Sequence, residues 1–277
     1  MPPPLHSCIL GQIFLMALAG VTAQIQADPA EARAVELRGP AGLYTLAQWK
    51  LDWPGCQFEG GIRDERVSVT EEGASKRWLR VNYAPGQIGP EKGGAGWRMP
   101  TGTREFAELT YAVRFSEGFD WVKGGKLPGV CGGPDNVSGG RPATGKNGFS
   151  ARLMWRRDGR AEAYVYHKNQ PTNYGDQFAF PADFRLPTQT PVHVRMQVGM
   201  NTPGQRDGTL RVWVAINKEA PRLMVERTNL EWRDDRSFGV DSLYFETFHG
   251  GGDLSWAPTR PCWAEFSDLR MGTPPKD

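Results

Sequence analysis

Between Phe149 and Lys168 the chain reads FSARLMWRRDGRAEAYVYHK. Alternate residues of a strand point to opposite faces. One set is apolar: Phe149, Ala151, Leu153 and Trp155, then Ala161, Ala163 and Val165. The other holds Ser150, Arg152, Met154 and Arg156, then Tyr164, Tyr166 and Lys168. Arginine presents a rigid fork of donors that matches a carboxylate, lysine a mobile point charge, and tyrosine a hydroxyl that gives or takes a proton. Together they suit an acidic sugar. β-Elimination of a uronate removes the C5 proton beside the carboxylate and expels the 4-linked oxygen. It needs a neutralised carboxylate, a stabilised enolate, a base and an acid. A free tyrosine ionises near pH ~10, and neighbouring cations lower that value, so an alkaline optimum fits such chemistry. The same residue types also suit a solvated strand face, and the residues alone leave both readings open. Glycoside hydrolysis wants a pair of placed carboxylates; this face offers only Glu162, with Asp135, Asp253 and Asp268 far off in sequence.

The turn decides which of these residues meet. A two-residue turn at Asp158-Gly159 pairs Arg152 with Val165 and splits the polar set between faces. A three-residue loop over Arg157, Asp158 and Gly159, with the glycine left-handed, pairs Arg152 with Tyr164 and Ser150 with Tyr166. Both faces are then self-consistent, so the longer loop is expected. Two glycine-rich stretches, 86–96 and 123–148, read as loops, and long ordered loops on a β scaffold commonly build sites. Lys126 is held among glycines and a proline at the start of the second, in GGKLPG. The part between Pro134 and Lys146 reads as a disordered insertion.

Short alternating runs recur from residue 62 onward: RVSV (66–69), RWLRVNY (77–83), FAELTYAVRF (106–115), VHVRMQVG (192–199), TLRVWVAI (209–216), SLYFETF (242–248) and WAEFSDLR (263–270). In the third, Leu109, Tyr111, Val113 and Phe115 share a side. Gly, Pro, Asn and Asp separate the runs, and the chain has 34 glycines and 22 prolines. This is the pattern of an all-β sandwich or jelly roll, read as one domain over 45–272.

A net charge of +2 gives no case for nucleic acid. Residues 1–23 lack Asp, Glu, Lys and Arg, and Ile9–Val21 is apolar. That run suits a signal-peptide core and is short for a membrane span. Residues 1–23 are therefore expected to be a signal peptide cleaved before Gln24. Residues 24–44 follow as a lead-in with a short helix in AEARAVELRG, and the mature protein is expected to be secreted or periplasmic, off the membrane and monomeric. Cys56, Cys131 and Cys262 remain after cleavage; a Cys56–Cys262 bridge and free buried thiols are both open. The four histidines are scattered and no cysteine spacing suggests zinc, so no metal or cofactor is expected.

RVNYAPGQIGPEKGGAGW, WVKGGKLPG, FSARLMWRRDG, AYVYHK, GTLRVWVAIN and FETFHGGGDLSWAP occur in this order over roughly 76–270. In them the chain resembles the alginate lyases of polysaccharide lyase family 14 and their glucuronan-degrading relatives. The resemblance implies a β-jelly roll with a concave substrate groove and metal-independent β-elimination of a 4-linked polyuronate, alginate first and glucuronan second. The implied catalytic set is Lys126, Ser150, Arg152, Tyr164 and Tyr166. Tyrosine would serve as base and acid, Lys126 and Arg152 would neutralise the carboxylate, and Ser150 would position. Arg156 and Lys168 share the face and are expected to bind outer sugars. Three residues depart from the family pattern: Gly96, where some relatives carry a glutamine, Cys131, and His249, which is expected to pack rather than donate. The competing reading is a non-catalytic carbohydrate-binding jelly roll for acidic polysaccharide.

Overall fold

The computed structural model describes residue 1 and residues 32–273, apart from 57, 74 and 75. The expected signal peptide therefore lies outside the described residues except for Met1. The elements run β1 (Arg33–Ala34), β2 (Gly42–Leu43), α1 (Leu46–Asp52), β3 (Val67–Glu72), β4 (Lys76–Tyr83), α2 (Gly89–Lys92), β5 (Gly94–Arg104), β6 (Phe106–Phe115), β7 (Gly124–Gly132) and β8 (Phe149–Arg156). They continue with β9 (Ala161–Tyr166), β10 (Asp176–Ala179), β11 (Val192–Gly199), β12 (Gly208–Ile216), β13 (Arg222–Leu230), β14 (Val240–His249) and β15 (Cys262–Gly272).

These strands form two antiparallel sheets of a β-jelly roll. The larger runs β13-β12-β11-β6-β15-β4-β3-β2, with β1 added on β15; the smaller runs β10-β9-β8-β7-β14-β5. The core lies between them. Leu109, Tyr111, Val113 and Phe115 of β6 are buried on one side, and Phe149, Ala151, Leu153 and Trp155 of β8 on the other. Each such large apolar side chain contributes roughly 1.5–3 kcal/mol by leaving water. Phe245 of β14 stacks on Trp97 (4.5 Å between centroids) and meets Phe266 of β15 edge-on (5.2 Å), tying sheet to sheet. Charged and aromatic residues take the opposite side of the smaller sheet, and that side carries the site.

The β8–β9 register is the one the longer loop demands. Ser150 pairs with Tyr166 and Arg152 with Tyr164. Arg156 N donates to Arg160 O at 2.7 Å. Asp158 and Gly159 both take positive φ, 57° and 71°, so the loop holds a second left-handed residue where one was expected.

Several expectations change. The lead-in stretch AEARAVELRG is not helical where described: β1 pairs with Met271 and Arg270, and Val35 N donates to Leu269 O at 2.9 Å. The pairing of β15 with β4 ends at Phe266, and β1 takes up the edge of β15 beyond it. Glycine-rich 86–96 contains a short helix, α2, and opens β5, while GGKLPGVCG is strand β7 in mid-sheet. Pro128 is tolerated there because the pairing of β7 with β8 shifts between Leu127 and Gly129, as proline in an inner strand requires. At Gly125 a Cβ would run into the Trp155 indole, so glycine is what lets β7 lie against β8. The stretch 134–146 is ordered against the site, as described below. Cys56, Cys131 and Cys262 are free thiols. Burial pushes their pKa up, to about 12 for Cys131 and about 11 for Cys262.

Candidate active site

Strand β7 places Lys126 between Met154 of β8 and Phe248 of β14. Its Nζ donates to Met154 Sδ at 2.7 Å and stands 3.4 Å from the centre of the Tyr164 ring. Burial is the main cause holding its pKa well below the usual lysine range, and the Arg152 and Arg156 charges add to it, against an opposing pull from Glu162. The two tyrosine rings meet edge to face, 5.7 Å apart. Each phenolic oxygen accepts a backbone N–H at 3.1 Å, Tyr164 from Gly175 and Tyr166 from Gly140. Burial raises the Tyr164 pKa, with Tyr166 as the next cause, so Tyr164 keeps its proton well into alkaline pH.

Ser150 and Arg152 share this face of the sheet but are fully buried. Ser150 Oγ donates to Val137 O at 2.7 Å. The Arg152 guanidinium pairs with Glu246, donates to Ser138 Oγ at 2.7 Å and lies 4.8 Å from the Tyr244 ring centre. With the Gly140–Tyr166 bond, these contacts strap residues 137–140 over the sheet. Val137 and Ala143 add a small apolar cluster with Met154, Tyr164 and Tyr166.

Beside the strap a groove of about 700 Å³ opens. Lys126, Met154, Tyr164 and Tyr166 form its floor, and Arg156, Trp256, Phe248 and Ser138 its walls. Arg156 pairs with Glu162 at 2.6 Å and lies 5.7 Å from the Trp256 ring centre. The structure therefore gathers Lys126, Tyr164, Tyr166 and Arg156 around one space, with Ser150 and Arg152 beneath the adjoining strap. Lys168 is elsewhere: it lies beyond β9, paired with Glu231 (2.8 Å) and Asp234 (2.6 Å). Among the described residues no three His, Cys, Asp or Glu side chains gather as a metal-binding group.

Sequence reasoning gave no role to Glu246, Met154 or Trp256. Met154 stood in the polar alternation, and Glu246 and Trp256 stood in the FETFHGGGDLSWAP segment, so the signal was present without a partner to read it against. Gly96 lies opposite Glu246 across β5 and β14, where a side chain would crowd the glutamate. His249 is fully buried, stacked on Phe119, and bonded through Nε2 to Asp120 O at 2.6 Å. Burial pulls its pKa down to about 4; the neutral ring packs in the core, and its Nε2–H donates to the Asp120 carbonyl.

The family model for polysaccharide lyase 14 matches residues 71–269. A search of curated protein sequences finds no match. Among solved structures, an alginate lyase of that family from Aplysia kurodai is similar, with 25% identity, a TM-score of 0.76, and 90% of this chain and 100% of that chain covered. A variant of alginate lyase Aly36B in complex with alginate trisaccharide gives 24% identity, a TM-score of 0.75, and coverage of 90% and 100%. An endo-β-1,4-glucuronan lyase from Trichoderma reesei gives 14% identity, a TM-score of 0.52, and coverage of 89% and 96%. The last two, under 25% identical, speak for the fold alone.

Proposed function

The chain belongs to polysaccharide lyase family 14, and on that premise we propose that it is an exported polyuronate lyase that cleaves alginate, or failing that glucuronan, by β-elimination without a metal ion. One observation carries the reading: a buried lysine amine and two tyrosine hydroxyls converge on one groove with Arg156 on its wall. Burial lowers the Lys126 pKa and so favours its neutral amine, and burial raises the Tyr164 pKa and so keeps its hydroxyl protonated.

In the reaction, the neutral Nζ of Lys126 takes the C5 proton. The electron pair of the C5–H bond becomes the C4–C5 double bond as the C4–O bond breaks. The Tyr164 hydroxyl gives its proton to the departing oxygen. Arg156, on the groove wall, stabilises the carboxylate and the enolate that forms from it. Tyr166, fixed by Gly140 N–H, orients the sugar. These roles differ from those the family resemblance suggested, in which tyrosine is the base and Lys126 a counter-charge. Burial and the two guanidinium charges, opposed by Glu162, favour the neutral form of the amine, the form with a free lone pair for the C5 proton.

The test is ultraviolet absorbance during incubation of the protein with a panel of polyuronates, chelator present. Elimination leaves a conjugated C4–C5 double bond, which absorbs. A rise with one polymer supports the reading and identifies the substrate. A folded protein that binds a polymer but yields no absorbance is a carbohydrate-binding jelly roll instead.

A further inference from the structure

A second cavity, of about 650 Å³, lies at the closed end of the β8–β9 hairpin. Lys123, Arg156, Arg157, Arg160 and Arg185 line it, against only two carboxylates, Asp158 and Glu162. Glu162 is already paired with Arg156. Arg157 and Arg160 are exposed, and among the described residues neither side chain has a carboxylate partner. The Lys123 ammonium reaches Ser255, beside the Trp256 wall of the groove. Arg156 borders both cavities, so the two spaces adjoin.

The turn that carries these arginines is fixed. Gly159 takes a positive φ of 71°, and its carbonyl accepts from Leu186 N at 2.7 Å. A Cβ at Gly159 would crowd the Leu186 carbonyl. Phe180 N donates to Ala161 O at 3.0 Å, and Phe180 packs on Phe184 at 5.6 Å. The cations therefore project from a held loop pair at a set distance from the floor. Tyr164 and Arg160 lie four residues apart along one strand direction, which is about 13 Å at about 3.3 Å per residue. That is further than one sugar unit reaches.

We propose that the Arg157–Arg160 turn is a distal binding site for a polyanion, taking carboxylates of the same polyuronate chain several sugars from the bond being cleaved. The inference rests on the lyase reading for its substrate. A polyuronate carries one carboxylate on every sugar, so a row of unpaired cations continuing the groove recognises length rather than the reacting unit. Exposed charges of this kind act on encounter and retention, and salt screens them.

The test compares wild type, the double variant Arg157→Gln/Arg160→Gln, and a charge-matched control, Lys50→Gln/Lys218→Gln, with both lysines exposed. Each is assayed with long polyuronate and with the trisaccharide of the same polymer. The tip variant should raise KM for the polymer about three- to tenfold, the scale of exposed charge pairs, with kcat and trisaccharide turnover unchanged and the difference erased by high salt. The control should match wild type. An unchanged polymer KM, or equal losses on trisaccharide and polymer, overturns the proposal. Electrophoresis through a gel containing the polyuronate reads the site without turnover. Retardation that is lost in the tip variant and kept in the control supports a polyanion site even if no polymer is cleaved, in which case only the lyase reading fails. Equal retardation of all three overturns the distal site.

Discussion

The two ends of the β8–β9 hairpin draw on the same residue types and treat them in opposite ways. At the open end, Arg152, Ser150 and Tyr166 are buried, and each side chain is bound to protein partners: Glu246 and Ser138, Val137, and Gly140 in turn. At the turn, Arg157 and Arg160 stand in water without a carboxylate partner among the described residues. Burial makes the difference. It moves the pKa values of Lys126 and Tyr164 in opposite directions, favouring the neutral amine of one and the protonated hydroxyl of the other, as the proposed base and acid require. Exposure leaves the arginines as screened charges, able to hold a polymer but not to shift a proton.

The largest effect expected from breaking the buried end is on turnover. Tyr164→Phe removes the acid and should lower kcat by roughly 10²–10⁴-fold, the range for a positioned proton donor, with circular dichroism unchanged. Next is stability. Glu246→Ala leaves Arg152 charged and buried without its carboxylate, which costs about 3–5 kcal/mol for a broken buried pair; the shift of the urea midpoint at constant slope measures it. If stability is unchanged, the guanidinium has another partner and the strap is not held as described. The pH profile sharpens the contrast further. Lys126 works as a base only when neutral, so the rate should fall as pH drops through its lowered pKa. Tyr164 works as an acid only when protonated, so the rate should hold until pH passes its raised one. Salt should leave this profile in place while weakening polymer binding at the turn. The smallest effect belongs to Lys168→Ala, which should leave both turnover and melting near wild type, because its ammonium is already taken by Glu231 and Asp234.

The sequence made the hairpin legible because both of its faces alternate over both strands, and only one register keeps them consistent. It also marked β6 and β11 to the residue, since an apolar core face and a polar outer face alternate there. Strand β7 was illegible for a physical reason. Its Gly-Gly-Lys-Leu-Pro-Gly composition is turn chemistry, yet the glycine admits the Trp155 indole and the proline sits at a register shift, both facts about neighbouring strands. Residues 134–146 read as disordered for a related reason. Their own composition cannot order them; Ser150, Arg152 and Tyr166 do, from strands later in the chain. The Glu246 partner of Arg152 is 94 residues away, beyond any local pattern. The alternation displayed the arginines and tyrosines, and the GGKLPG segment Lys126, whereas which of them are buried depended on long-range packing.

The most direct test is the initial rate of unsaturated product from trisaccharide, measured side by side for wild type, Lys126→Ala and Arg157→Gln/Arg160→Gln at matched fold. The account predicts near-complete loss in Lys126→Ala and a wild-type rate in the tip variant. A Lys126→Ala protein that keeps its rate would contradict it, since the proton would then be leaving C5 for some other group.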